Sequence, residues 1–70
     1  MTDLTTYSDM ADTIEHIGAI VREYRRGRRL SLRAAATDAG VDPTTLHRIE
    51  SGEQVRHHTV AQLLRWMDAP

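Results

Sequence analysis

The 70-residue sequence has no cysteine, which excludes disulfides and thiolate metal sites. It has no lysine either: all nine basic residues are arginine, a usage that fits a GC-rich genome better than any chemical requirement. No apolar run is long enough to span a bilayer and no signal-peptide pattern is present, so no membrane role is expected and the default location is cytoplasmic. The chain is too short for two domains. At this size a single core is near the lower limit of self-sufficiency, so helix packing and dimerisation are the expected sources of stability. No acid, base and nucleophile converge in a pocket that so small a core could enclose, so no enzyme is expected. His57 and His58 are adjacent, which points their rings apart, and His16 and His47 lie elsewhere. That spacing predicts no metal site, and nothing in the sequence calls for a cofactor.

The formal charge is −1, which argues against a nucleic-acid binder only while it is averaged. Residues 1–15 hold Asp3, Asp9, Asp12 and Glu15 and no base, whereas the rest of the chain sets nine arginines against six acids, a balance of +3. A modest basic excess of this kind predicts weak non-specific affinity and a salt-sensitive specific complex, strengthened when two copies bind together.

Residues 1–8 show no apolar period and read as a flexible arm of the acidic N-terminal region. A solubilising tail is the first reading of this arm; a segment that binds a protein partner is the second. Met10, Ile14, Ile17, Val21 and Tyr24 then recur at spacings of four and three, predicting one amphipathic helix over about 9–26. Asp12 and Glu15 have the spacing of a capping box, and Gly18 marks a close approach or a bend. Arg22, Arg25, Arg26, Arg28 and Arg29 form the densest basic cluster in the chain, with Arg28 and Arg29 suited to phosphate.

Leu30 to Gly52 is the most informative stretch. Leu32, Ala35, Ala36 and Ala39 make one apolar stripe of a helix over about 31–39, with Ser31 as N-cap. The stripe is mostly alanine, so a second helix can cross closely at Ala36. Gly40 supplies the left-handed residue that ends this helix. Asp42 can cap the next, and Pro43 sits at its first position, where a missing N–H costs nothing. In that helix, about 43–51, Leu46 and Ile49 face inward while Thr44, Thr45 and Arg48 face solvent. Two short hydroxyls and a guanidinium suit base edges: Arg pairs bidentately with guanine, and Thr hydrogen-bonds or touches a thymine methyl. A last helix over about 58–68 carries Val60, Leu63, Leu64 and Met67 on its core stripe, with Trp66 off it. Such a tryptophan either packs under a neighbouring loop or waits for a second subunit.

With Ala36, Gly40, Leu46 and Ile49 in place, and Glu50 and Gly52 closing the second helix, the stretch resembles the Cro and lambda-repressor type of helix-turn-helix. The similarity extends over about Ile17 to Met67. It implies an all-α, compact four-helix domain over residues 9–70 whose second motif helix enters the major groove of double-stranded DNA, with Thr44, Thr45 and Arg48 reading bases. It further implies that Arg25 pairs with Glu50 as a structural ion pair, that Gln54 and Arg56 hold phosphates, and that a homodimer binds a two-fold operator through Val55, Trp66 and Met67. Half-sites would lie about 34 Å apart. Leu32 departs from the family, which commonly has a phosphate-contacting Gln there; Arg33 beside it, together with Arg28, completes the expected phosphate set. Arg29 stands where the family often has Gly or Asn, and Asp42 places a carboxylate where phosphate is expected. A phage-type repressor, a Cro-like regulator or an antitoxin that represses its own operon fits the size. The alternative is a protein-interaction module that uses the helix-turn-helix as a scaffold.

Overall fold

The computed structural model describes residues 6–69, which form five α-helices and no strand. They are α1 (Tyr7–Glu15), α2 (Ile17–Gly27), α3 (Leu32–Ala39), α4 (Pro43–Glu50) and α5 (His57–Asp68). The expected arm therefore divides: residues 1–5 lie outside the described residues, and a helix is already under way at Tyr7.

The single long first helix is two. His16, at φ −109° and ψ 19°, closes α1 and opens α2, and its Nδ1 lies 2.9 Å from the Asp12 carbonyl oxygen. The reason is packing. Ile14 and Ile17 would share one face of a straight helix, yet Ile17 is buried while Ile14 is exposed. The break lets α2 turn its apolar face inward while α1, which buries no residue, follows a different course. The capping box also sits earlier than Asp12. Thr6 accepts from the Asp9 N–H at 3.1 Å and its own N–H donates to the Asp9 carboxylate at 3.2 Å, so two orphan donors are satisfied reciprocally.

The core comprises Ile17, Val21, Ala35, Ala36, Ala39, Leu46, Ile49, Val60 and Leu63, drawn from α2 to α5. Two close approaches make it possible. Ala35 and Ala36 are fully buried, so α3 brings only methyl groups to the core at these positions and its backbone can lie close to its neighbours. Gly18 is the other: a Cβ there would collide with the Ile49 carbonyl, so α2 rests directly on the backbone at the end of α4.

The turns follow from their residues. Ser31 caps α3 by accepting from the Ala34 N–H at 3.0 Å. Gly40 adopts φ 78°, and the Val41 N–H reaches back to the Ala36 carbonyl at 2.9 Å, a Schellman closure. Asp42 caps α4 through the Thr44 N–H at 2.9 Å. Gln62 of α5 donates to the carbonyls of Ala39 and Gly40 at 3.0 and 2.9 Å, satisfying acceptors left over at the end of α3. Arg29 ends α2 at φ 57°, the one non-glycine residue in the left-handed region among those described.

Candidate nucleic-acid interface

Helix α4 is eight residues long, and an α-helix with its side chains is about 10–12 Å across, close to the width of the B-DNA major groove. Leu46 and Ile49 anchor its inner face, and Thr44, Thr45, His47 and Arg48 are all exposed. The side chains on its outer face are therefore free to meet base edges.

Arg25 fixes this helix in position. Its Nε donates to Glu50 Oε2 at 2.8 Å and its Nη2 to Oε1 at 2.9 Å, a bidentate pair, while Nη1 donates to the Leu30 carbonyl at 3.0 Å. One guanidinium thus ties α2 to the end of α4 and to the loop entering α3. The hydrogen bond to Glu50 raises the Arg25 pKa above its ordinary value, against the lowering by burial and with further help from the carboxylate's charge. The Glu50 side chain is only 4 % exposed, and its carboxylate oxygens meet Arg25, with Arg22 Nε 3.9 Å from Oε1.

The two flanks of α4 are both basic. On one side Thr45, Arg48, Gln54, Arg56, His58 and Thr59 border one shallow groove between α4 and the start of α5. On the other, Arg22, Arg26, Leu32, His47 and Ser51 border a second, beside the Arg25–Glu50 pair. Arg22 is half exposed, with Nη2 3.4 Å from the Glu50 carbonyl. Both flanks of α4 thus carry exposed arginine side chains.

The structure brings Thr45, Arg48, Gln54 and Arg56 together, with Thr44 beside them on α4. Arg33 is exposed on the first turn of α3. Arg28 stands apart from this group: its guanidinium lies 4.6 Å from the centroid of the Tyr24 ring, a cation–π arrangement. Tyr24 in turn meets Trp66 edge-on at 5.0 Å, and the Trp66 indole N–H donates to Asp38 at 2.7 Å. Trp66 therefore packs within its own chain, joining α5 to α2 and α3, and Met67 also packs against the core. Val55 is partly buried in the loop before α5.

Arg22, Arg26, His47, Ser51 and His58, which border the two grooves beside α4, were not among the residues that the sequence assigned to DNA contact. A signal for two of them was present, since Arg22 and Arg26 stand at i and i+4 on one face of the helix. His47 neighbours Arg48 on α4, but which edge of that helix opens toward α2 depends on the crossing at Gly18.

An exposed helix bearing threonines and arginine, presented by a tight turn from its predecessor and bordered by cations on both sides, defines a helix-turn-helix domain of the DNA-binding class. The chain belongs to the helix-turn-helix domain family, whose model matches residues 16–70, as an XRE-like member. No curated protein and no solved structure matches the chain. Helix α1 lies before the matched residues. Among the described residues no helix is long and apolar enough to cross a membrane.

Proposed function

We propose that the protein is a sequence-specific regulator of transcription that binds a two-fold operator as a pair of chains, in the manner of a compact phage-type repressor, a Cro-like protein or an autorepressing antitoxin. The observation that carries this reading is the exposed Thr44, Thr45 and Arg48 surface of α4, set between two basic flanks. Arg48 reads guanine and the threonines read a neighbouring step. Arg56 and Gln54 hold phosphate on one flank, while Arg22, Arg26 and Arg33 hold it on the other; these contacts set register rather than sequence. The basic balance of residues 16–70 supplies the salt-dependent part of the affinity.

Selection from a random duplex pool, with affinity followed against salt, tests this reading; recovery of a two-fold motif is the expected result. Arg48→Ala should relax preference at one base step at a cost of about 1–3 kcal/mol, whereas Arg56→Ala should weaken all sequences alike and lower the salt slope by about 1. If the two variants behave alike, the division into reading and positioning residues fails. A rival reading, a protein-interaction module on a helix-turn-helix scaffold, draws support from the exposed apolar side chains of α1. Charge reversal at Arg48 and Arg56 separates the two, abolishing activity under the first and sparing it under the second.

A further inference from the structure

Helix α2 ends in a Schellman closure: the Leu30 N–H donates to the Arg25 carbonyl and the Arg29 N–H to the Arg26 carbonyl, each at 3.0 Å. That closure needs one residue in the left-handed region, and the residue there is Arg29, at φ 57°. Glycine takes this conformation freely, whereas a residue with a Cβ takes it at a cost in stability. A glycine stands only two positions earlier. Gly27 lies inside α2 with nothing within 4 Å of where its Cβ would be, so its place in the helix would accept an arginine. The sequence holds this glycine and this arginine in the less stable order.

We infer that Arg29 holds a phosphate of the DNA backbone, beside the flank of α4 that carries Arg22 and Arg26, and that the left-handed turn is kept for this contact. Strained backbone persists where the surrounding structure holds it and function uses it. Three further observations support the contact. The Arg29 side chain is exposed, and among the described residues no hydrogen bond or ion pair engages its guanidinium; Arg25, by contrast, is bonded to Glu50, and Arg28 lies over the Tyr24 ring. Its backbone is also fixed relative to α4. The next carbonyl, that of Leu30, accepts from Arg25 Nη1, and the same guanidinium holds Glu50 at the end of α4. Finally, the turn leads directly into α3, whose Leu32 borders the same groove as Arg22 and Arg26 and whose first-turn Arg33 is exposed. In helix-turn-helix complexes this first motif helix is the one that crosses the DNA backbone. An arginine at its start adds affinity and register without sequence preference. The inference deepens the DNA-binding reading and rests on it.

Because a phosphate contact acts on every sequence alike, one duplex of fixed sequence, titrated from low salt upward, is a sufficient probe. The decisive variant exchanges the two residues, Gly27→Arg with Arg29→Gly, which leaves composition and net charge unchanged. Position 27 lies four residues after Glu23 on α2, so the moved arginine shares a face with that acid and not with Arg22 and Arg26. The exchange should raise the urea midpoint, yet weaken duplex binding about three- to tenfold and lower the salt slope by about 1. Arg29→Asn, which tolerates the left-handed conformation without a charge, should show the same loss of slope and carries the test if the exchange variant does not fold. Arg29→Lys, which keeps both the cation and the strain, should keep the wild-type slope.

Exchange or Asn variants with the wild-type slope, or a Lys variant that loses it, would overturn the inference. An exchange variant no more stable than wild type would also overturn it, since the left-handed arginine would then need no function to retain it. Wild type that binds the duplex alongside variants that match it refutes this contact alone. Folded wild type that binds no duplex at low salt refutes the DNA-binding reading, and this contact with it.

Discussion

Helices α1 and α3 are of similar length, nine and eight residues, and have similar apolar patterning, yet α3 buries Ala35, Ala36 and Ala39 while α1 buries nothing. The larger side chains are on the helix that stays outside. Burial in this fold is decided by how closely backbones approach, and alanines and Gly18 permit an approach that Tyr7, Met10 and Ile14 do not. An amphipathic stripe states that a face wants a partner; it does not state which.

The contrast can be broken most severely at Gly18. Gly18→Ala would set a Cβ against the Ile49 carbonyl, with further backbone atoms at 3.1 and 3.4 Å. None of these belongs to a side chain that can swing away, so α2 and α4 must separate. Urea unfolding should show a loss of about 3 kcal/mol, despite the ~1 kcal/mol that alanine gains over glycine in a helix. A neutral result would mean that the two helices do not rest on each other at this point.

Next in size is Arg25→Met, which keeps the packing of the stem and leaves the Glu50 carboxylate with only the longer Arg22 contact, 3.9 Å from Oε1. The expected loss is about 2 kcal/mol by the same measurement, short of a fully buried pair because the Arg25 side chain keeps 18 % of its exposure. Because the pair raises the Arg25 pKa, the guanidinium's contribution is complete below its unfolded pKa and is lost only as pH rises through the folded one. Wild-type stability should accordingly show no step attributable to Arg25 between about pH 6 and pH 10.

Arg29→Gly works in the opposite direction. Relieving a left-handed arginine at φ 57° should stabilise the fold by about 1 kcal/mol, read as a higher urea midpoint at unchanged slope. The smallest effect belongs to α1. Met10→Ser should leave monomer stability within about 0.5 kcal/mol of wild type, since no core contact is lost. A larger drop would show that α1 stabilises the body, and the contrast with α3 would then be one of degree.

Much of the helix-turn-helix was legible because its signals are local. Ser31, Gly40, Asp42 and Pro43 each specify a cap or a turn through the conformation of one residue, and the structure uses all four in those places. The outward set Thr44, Thr45 and Arg48 followed from helical period once Leu46 and Ile49 were placed inside. The break at His16 was not legible, because Met10, Ile14, Ile17, Val21 and Tyr24 keep an unbroken helical spacing across it. The Gln62 bonds to the end of α3 and the Trp66 bond to Asp38 join residues 22 to 28 positions apart. No local pattern announces a contact at that separation.

The sequence by itself determined the all-helical class, the two-helix motif and the face that α4 turns to solvent, since period, capping and turn chemistry act over a few neighbouring residues. Only the tertiary structure decided that the first helix bends at His16, that Arg22, Arg26 and His47 form the second flank of α4, that Arg28 is drawn to Tyr24, and that the α1 stripe is left uncovered. Those outcomes depend on where Gly18 and the alanines let helices touch, and that is a balance of contacts over the whole molecule.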